Sequence, residues 1–174
     1  MAKQVTVTAY TFDELSDKAK EKARQWMREC NDVDWWSDQV TEDAAQVGIK
    51  ITGWDIGRAR EIDLTFEDSA HLSAKRIMEE HGEACDTWEI ARGFLQLQAG
   101  TQAAYAAGDI TEEEANDRHE AETEAFTNEI GEAYLVLLDE AYQDAMYGEG
   151  LDETIEANDY LFTEDGSRTA VLNA

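Results

Sequence analysis

Hydrophobic and polar positions along the first part of the chain follow two different periods, and each period predicts a different element. Residues 5–10 alternate around β-branched side chains, which is typical of a strand. Ser16 offers an N-cap to a first helix, whose apolar positions recur at helical spacing: Ala19, Ala23, Trp26, Met27 and Cys30. Residues 35–47 predict a second helix, and Gly48 stands where a left-handed residue would end it.

The next two segments, 49–56 and 61–66, predict a pair of strands. In the second segment every other residue is apolar, as in a half-buried strand: Ile62, Leu64 and Phe66. Gly57 lies between the segments, and we therefore expect an antiparallel hairpin that turns there.

Two helices should follow the hairpin. Asp68 or Ser69 would cap a helix that runs to about Glu80. The apolar residues of 87–98 predict a mostly buried helix that ends at Gly100. The small and polar segment that comes next predicts a short helix or a link.

A long helix is predicted from Thr111 to about Tyr147, because a hydroxyl followed by three glutamates is a strong helix-starting signal. Its first part, 112–124, is almost entirely polar, so we expect it to project or to pack lightly. Its second part should dock through an apolar stripe, which comprises Phe126, Ile130, Ala133, Tyr134, Leu137, Leu138, Ala141, Tyr142 and Ala145. Residues 160–172 predict a short final hairpin that turns at 163–166.

These elements predict an α+β fold, with a small antiparallel sheet packed by helices and a long acidic C-terminal helix. The sheet should come mainly from residues 49–66, joined by the strand at 5–10. We expect one domain overall, in which residues 1–108 form the α+β core. Residues 109–174 would add the long helix and the short hairpin, which packs on that core.

Charge changes this picture more than any other property of the chain. The 174 residues include 40 Asp or Glu and 14 Lys or Arg, which gives a net charge of −26. Residues 1–108 carry 20 acids and 12 bases, a net of −8, whereas residues 109–174 carry 20 acids and 2 bases, a net of −18. Such a field disfavours nucleic acid and anionic membrane as direct partners, because both have the same sign.

The chain carries no recognisable motif for catalysis or cofactor binding. It has three histidines in unrelated segments and no nucleophile elbow, phosphate loop or dinucleotide fingerprint. Its acidic segments lack EF-hand spacing, and His81 with Cys85 has no second ligand pair. We therefore expect no catalytic residue, cofactor or metal site. The two cysteines, Cys30 and Cys85, read as partly buried thiols in a reducing compartment.

The long helix carries the strongest candidate for a binding surface. Glu113, Asp117, Glu120 and Glu124 follow one another at i, i+4, i+7 and i+11, which places four carboxylates on one helical face. Further carboxylates extend this charge at Glu112, Glu129 and Glu132. Trp35 and Trp36 cannot share one side of a helix, and we take Trp36 as an additional partly exposed contact residue.

Three passages resemble those of small, uncharacterised acidic proteins of bacteriophages and prophages. They are residues 10–23, which include Thr-Phe-Asp-Glu-Leu-Ser-Asp, together with Ile-Lys-Ile-Thr-Gly-Trp-Asp-Ile at 49–56 and Ile-Glu-Ala-Asn-Asp-Tyr-Leu-Phe-Thr-Glu-Asp-Gly at 155–166. The resemblance implies a phage origin and a bacterial intracellular setting. Phages encode acidic inhibitors of host defence nucleases, some of which resemble DNA in charge.

Residues and resemblance together lead to one functional hypothesis. It is a non-enzymatic protein of the bacterial cytoplasm that binds a basic nucleic-acid-binding surface and inhibits a defence nuclease or CRISPR-type complex by nucleic-acid mimicry. The alternative is a structural or scaffold protein that forms a homodimer through the apolar stripe. A simply solvated acidic face, a salt-adapted protein and a small hydrolase remain further interpretations of the same residues.

Overall fold

The computed structural model describes residues 8–30 and 35–169, and within them it has an α+β fold with a long C-terminal helix. The elements are α1 (Asp17–Cys30), a 3₁₀ turn (Trp35–Ser37), α2 (Asp38–Gln46), β1 (Ile49–Asp55), β2 (Glu61–Phe66), α3 (Ala70–Glu80), α4 (Asp86–Ala107), α5 (Glu112–Tyr147) and α6 (Glu149–Ala157). The predicted fold class and the predicted extent of α5 are confirmed.

The elements group into two compact units. The central unit comprises Ser37–Glu140, and the terminal unit comprises Met1–Trp36 together with Ala141–Ala174. Helix α5 begins in the central unit and ends in the terminal unit. The two units do not correspond to the residues 1–108 and 109–174 that charge and pattern distinguished in the sequence.

The hairpin of the central unit has the predicted strands and orientation. β1 and β2 pair antiparallel, from Ile49 opposite Phe66 to Asp55 opposite Glu61, with an irregularity between Ile51 and Gly53. The irregularity brings Trp54 opposite Ile62, and Trp54 remains 37% exposed. Because opposed residues share a face of the sheet, one face of the hairpin supplies the apolar side chains that pack on the core.

The core of the central unit forms between this hairpin and helices α2 to α5. Its buried residues are Ala44, Val47, Ile49, Ala70, Ala74, Ile77, Ala91, Phe94, Phe126, Ile130 and Tyr134. Gly48 ends α2 with φ of +76°, as predicted, in a backbone region that L side chains rarely adopt. Ser69, rather than Asp68, caps α3 by accepting a hydrogen bond from the Leu72 amide at 3.2 Å.

Helix α4 differs from its prediction, because it continues through Gly100 and ends at Ala107. Gly108, with φ of +79°, forms its left-handed C-cap. An exposed glycine inside a helix costs about 1 kcal/mol relative to alanine, which is too little to break a helix that has tertiary contacts. The contact here is made by Thr101, whose buried side chain donates a hydrogen bond to Glu122 of α5.

The terminal unit has its own core between α1, α6 and the segments that flank them. The buried residues are Phe12, Leu15, Ala19, Ala23, Met27, Leu151, Ile155 and Phe162. Arg24 of α1 holds Asp152 of α6 through two hydrogen bonds of 2.7 Å. Helix α6 was missed in the sequence, where the glycines at 148 and 150 indicated only an end to α5.

The first predicted strand does not join the hairpin with its described residues. Tyr10 forms an isolated antiparallel bridge with Phe162, which is bridged in turn to Arg168. Residues 5–7 and the predicted strand residues 170–172 lie outside the described part of the chain. The described sheet therefore has two strands rather than three, because the chain near Tyr10 pairs within the terminal unit instead.

Candidate functional site

The four carboxylates predicted to form a row lie on the first half of α5, and all four residues are exposed: Glu113, Asp117, Glu120 and Glu124. The helix starts with the predicted capping box. The Thr111 amide donates to Glu114 Oε2 at 2.8 Å, and the Glu114 amide donates to Thr111 Oγ1 at 3.2 Å. Hydrogen bonds from Thr111, with a smaller effect of the Arg118 charge, lower the pKa of Glu114. The start of the row is thus defined by local contacts.

The opposite side of this part of α5 is packed against α4. Ala115 is buried, and Phe126 stacks on Phe94 with ring centroids 4.3 Å apart. Between them, Glu122 accepts from the Thr101 hydroxyl at 2.5 Å and lies 3.2 Å from Nδ1 of His119. Since α-helical residues advance by about 100° each, the row points roughly opposite to Ala115, away from α4.

None of the seven predicted carboxylates takes part in an ion pair or a side-chain hydrogen bond with another described residue, and all seven are exposed. They are Glu112, Glu113, Asp117, Glu120, Glu124, Glu129 and Glu132. Arg118 is the only Lys or Arg in α5. Elsewhere in the described chain several carboxylates are paired, as Asp152 is with Arg24. Neighbouring described side chains therefore leave the charge of these seven carboxylates unneutralised.

The row ends where the hairpin covers the same side of α5. A methyl group added at Gly131 would lie 3.0 Å from Ile62 Cγ2 and 3.4 Å from Leu64 Cδ2. The absence of a side chain at Gly131 permits this close approach. Beyond the row, the same helical side carries the buried Leu135 and Leu138 instead of carboxylates.

Glu129 and Glu132 belong to a different surface. They lie about 150° and 90° around α5 from the middle of the row. With Asp86, Glu89 and Ile90 of α4 they line a shallow cavity of about 440 Å³. Glu129 and Glu132 thus border a cavity, whereas the row lies on another side of α5.

A larger cavity of about 700 Å³ adjoins this shallow one within the central unit. Apolar residues of α2 and α5 line it, among them Val136 and Leu137, which are 45% and 38% exposed. Its acidic lining residues come from four helices and are Glu42, Asp43, Glu80, Asp86 and Glu140. We call the two adjoining cavities together the acidic groove. Its described lining residues include no Lys or Arg.

A polar network includes three residues that line the larger cavity: Asp43, His81 and Thr87. The Tyr134 hydroxyl donates to Asp43 Oδ2 at 3.1 Å, and Asp43 Oδ1 lies 3.6 Å from His81 Nε2. The other ring nitrogen of His81 is 2.7 Å from the Thr87 hydroxyl. Burial, with a further contribution from the Asp43 charge, raises the pKa of Tyr134, so its hydroxyl stays protonated and donates to Asp43.

This network has the order hydroxyl, imidazole, carboxylate, but its hydroxyl is badly placed for catalysis. Thr87 is only 4% exposed and is buried at the start of α4. The contacts instead connect the α3–α4 junction with α2 and α5. Sequence reasoning missed the network, because its members are far apart in the chain and each has an ordinary role in its own helix.

The remaining candidates for chemistry are metal-binding side chains and the two cysteines. Within the described ranges, no three His, Cys, Asp or Glu side chains are grouped so that they could hold a metal ion. Cys30 and Cys85 are free thiols and exposed, which corrects the expectation that they are partly buried. Cys85 lines the acidic groove, where it is available for labelling.

Trp36 lies in the terminal unit, whereas the row and the acidic groove lie in the central unit. It is partly buried, and its ring meets that of Tyr142 edge-on at a centroid distance of 5.4 Å. The part of Trp36 in a shared binding surface stays a prediction. The side chain of Trp35 lies outside the description.

The apolar stripe of α5 is largely covered by the rest of the same chain. Phe126, Ile130, Tyr134, Leu138 and Ala145 are all buried. The stripe that the homodimer alternative would use is thus already occupied by packing within the chain. None of the helices in the described ranges has the length and apolarity that crossing a membrane requires.

Comparison with known proteins returned no match: no protein-family model, curated protein or solved structure is similar to this chain.

Proposed function

We propose that this chain is a phage-type, non-enzymatic acidic protein that acts in the cytoplasm of a bacterial host cell. It binds the basic nucleic-acid-binding surface of a defence nuclease or CRISPR-type surveillance complex and inhibits it by nucleic-acid mimicry. The observation that carries the proposal is the row on α5, whose four carboxylates are exposed and have no ion-pair partner among the described residues.

The dimensions of the row support the proposal. Glu113 and Glu124 are eleven residues apart, which corresponds to about 16 Å along a helix axis. One strand of a duplex carries a charge about every 3.4 Å, so the row covers the length of roughly five phosphates with four carboxylates. A groove lined by Lys and Arg to hold a nucleic acid strand would meet a similar, somewhat sparser line of charge.

Binding through such a row should depend steeply on salt. Exposed charges attract a partner over about 30 Å at 0.01 M ionic strength but over only about 8 Å at 0.15 M. Electrostatic complementarity mainly raises the association rate and excludes acidic proteins. Salt-sensitive binding that a duplex competes away is therefore the behaviour expected of a mimic.

The proposal is tested with one variant and a matched control. The row variant combines Asp117→Asn, Glu120→Gln and Glu124→Gln. The control variant combines Glu67→Gln, Glu83→Gln and Glu164→Gln, which removes the same charge at exposed positions whose side chains form no hydrogen bond or ion pair among the described residues. Tagged copies of the wild type and both variants are incubated with bacterial lysate at about 50 and 300 mM salt, with and without duplex DNA.

We expect the wild type and the control variant to retain the same nucleic-acid-binding proteins at low salt, and the row variant to lose them. Added duplex DNA and higher salt should both release the retained proteins. The captured proteins are then assayed for nucleolytic activity with and without the acidic protein. Retention that duplex DNA does not reduce, or that the row variant keeps at the wild-type level, would contradict the proposal.

The scaffold alternative has less support, because the stripe that it uses is buried. A dimer through that stripe would have to expose Phe126, Ile130 and Tyr134, which are at most 2% exposed in the folded chain. Sedimentation of the wild type at several concentrations measures this directly. A dimer that Ile130→Glu dissociates without unfolding the protein would favour the scaffold.

A further inference from the structure

The acidic groove combines an apolar floor with a rim of like charge. Its two cavities share Asp86, Ala133 and Val136, so they form one continuous depression along α5. The floor is apolar, and Val136 and Leu137 are exposed, whereas Ile130, Tyr134 and Leu138 of the same helix are buried. Two adjacent exposed aliphatic side chains beside a cavity offer apolar surface to a ligand.

The charge around this floor has one sign. Glu129, Glu132 and Glu140 border it on α5, and Asp86 borders it at the start of α4. No Lys or Arg is among the described residues that line the groove. An apolar ligand without positive charge would cover the floor but would leave the carboxylates of this rim without an opposite charge.

We propose that the acidic groove binds a basic amphipathic helix of a partner protein. Two or three apolar side chains of that helix would lie on Ala133, Val136 and Leu137, and its flanking Lys or Arg side chains would meet the carboxylates of the rim. This is the helix-in-groove mode of recognition, in which anchors at i, i+3 or i+4, and i+7 supply the contact. The inference rests on the proposed function for the basic character of the partner.

The length of the groove fits such a ligand. Glu129 and Glu140 are eleven residues apart on α5, which is about 16 Å or three helical turns. A cavity of about 700 Å³ has room for a few side chains rather than for a whole domain. The groove would thus anchor one helix of a partner, while the row on another side of α5 meets an extended basic surface.

The probe is a fluorescent peptide of about 16 residues made of Leu, Lys and Ala, long enough for four helical turns. Its leucines form one helical stripe and its lysines flank that stripe. One control peptide replaces every Leu by Ala and keeps the charge, and a second replaces every Lys by Glu and keeps the stripe. Binding is measured by fluorescence anisotropy at about 150 mM salt, where long-range attraction is largely screened.

The protein variants separate the groove from the rest of the acidic surface. The groove variant combines Val136→Gln with Leu137→Gln, two partly exposed positions whose substitution should leave the fold intact. A second variant, Glu129→Gln with Glu132→Gln, neutralises the rim without changing the floor. The row variant serves as the control, because it removes charge from the same helix outside the groove. Circular dichroism and urea midpoints establish that each variant is folded.

The groove variant should weaken binding of the leucine peptide by about tenfold or more, and the rim variant should weaken it severalfold. The row variant should bind it within about twofold of the wild type. A reporter dye on Cys85, in a Cys30→Ser background, should change its fluorescence when the peptide binds, because Cys85 lines the groove.

Two results would overturn the inference: equal binding of the alanine control peptide, or wild-type affinity of the folded groove variant. Binding of the glutamate peptide as tightly as the lysine peptide would overturn it as well. The peptide assay contains no bacterial protein. The peptide can therefore fail to bind the groove while the row variant still loses its captured partners, and the peptide can bind the groove although the row variant keeps them. Failure of the inference is therefore distinguishable from failure of the proposed function.

Discussion

The row on α5 should make the protein less stable than it would be without these charges. Three neighbouring pairs of carboxylates stand at i, i+4 or i, i+3 along the row: Glu113 with Asp117, Asp117 with Glu120, and Glu120 with Glu124. Like charges at these spacings destabilise a helix by about 0.2–0.5 kcal/mol per pair. No described side chain forms an ion pair or hydrogen bond with any of the four, so no direct pairing offsets the repulsion.

The row variant removes a charge from all three pairs and leaves Glu113, whose position in the first turn suits the helix dipole. Asn and Gln have helix propensities close to those of Asp and Glu, so the substitutions change little besides charge. We expect the free energy of unfolding to rise by about 1 kcal/mol at low ionic strength. At about 1 M salt, where the screening length is about 3 Å, the gain should nearly vanish.

Urea unfolding followed by far-UV circular dichroism measures this difference, because urea is uncharged and permits both ionic strengths. The control variant, which loses the same net charge elsewhere, should change by less than about 0.5 kcal/mol. If the row variant gains no more than the control at low salt, the repulsion inferred from the spacing is absent. A gain of the same size at about 1 M salt would refute its electrostatic origin. A surface that costs stability and mediates binding is a common trade-off in functional sites.

Three other substitutions test particular contacts through urea unfolding. Gly100→Ala should stabilise the protein by about 0.5–1 kcal/mol, since a Cβ there meets nothing within 4 Å. Gly108→Ala should destabilise it by about 1 kcal/mol, because the φ of Gly108 is +79°. Equal effects of the two substitutions would contradict a helix that continues through Gly100 and ends before Gly108. Tyr134→Phe should cost about 1–2 kcal/mol, as it removes a buried hydroxyl that donates to a carboxylate of α2, and an unchanged midpoint would show that this hydrogen bond adds no net stability. The hydrogen bonds from Arg24 lower the pKa of Asp152, so the pair stabilises the fold above the unfolded pKa of about 3.9, and this stability is lost as the pH falls through the folded pKa. Asp152→Asn should therefore destabilise the protein at neutral pH by about 1 kcal/mol. A stability difference between wild type and variant that persists at pH ~2 would contradict an origin in the ion pair.

Local signals in the sequence predicted much of the helical structure. The hydroxyl and glutamate of Thr111 and Glu114 meet as the capping box that their spacing indicates, and the hairpin forms with the predicted strands. Residues that are neighbours in the chain stabilise the capping box and the hairpin, so both can be predicted from short segments of sequence. The pattern likewise predicted that the first residues of α5 are exposed.

The errors arose where contacts between distant segments outweighed a local signal. Gly100 lies inside α4, because packing against α5 outweighs the small cost of a helical glycine. Tyr10 pairs with Phe162 rather than with the hairpin, and no local pattern distinguishes the two partners. The stripe of α5 was open to two interpretations, as a core face and as a dimer face, until its burial was known.

The sequence by itself determined the excess of negative charge, its concentration after residue 108 and the row of four carboxylates, because charge and helical spacing are properties of the chain. Only the tertiary structure decided which carboxylates share a surface. It assigned Glu129 and Glu132 to the acidic groove, left the row without ion-pair partners among the described residues, and placed Trp36 in the other unit. The physical reason is that the groove is built from α2, α4, α5 and the α3–α4 junction, and side chains so far apart in the chain meet only when the core beneath them has packed.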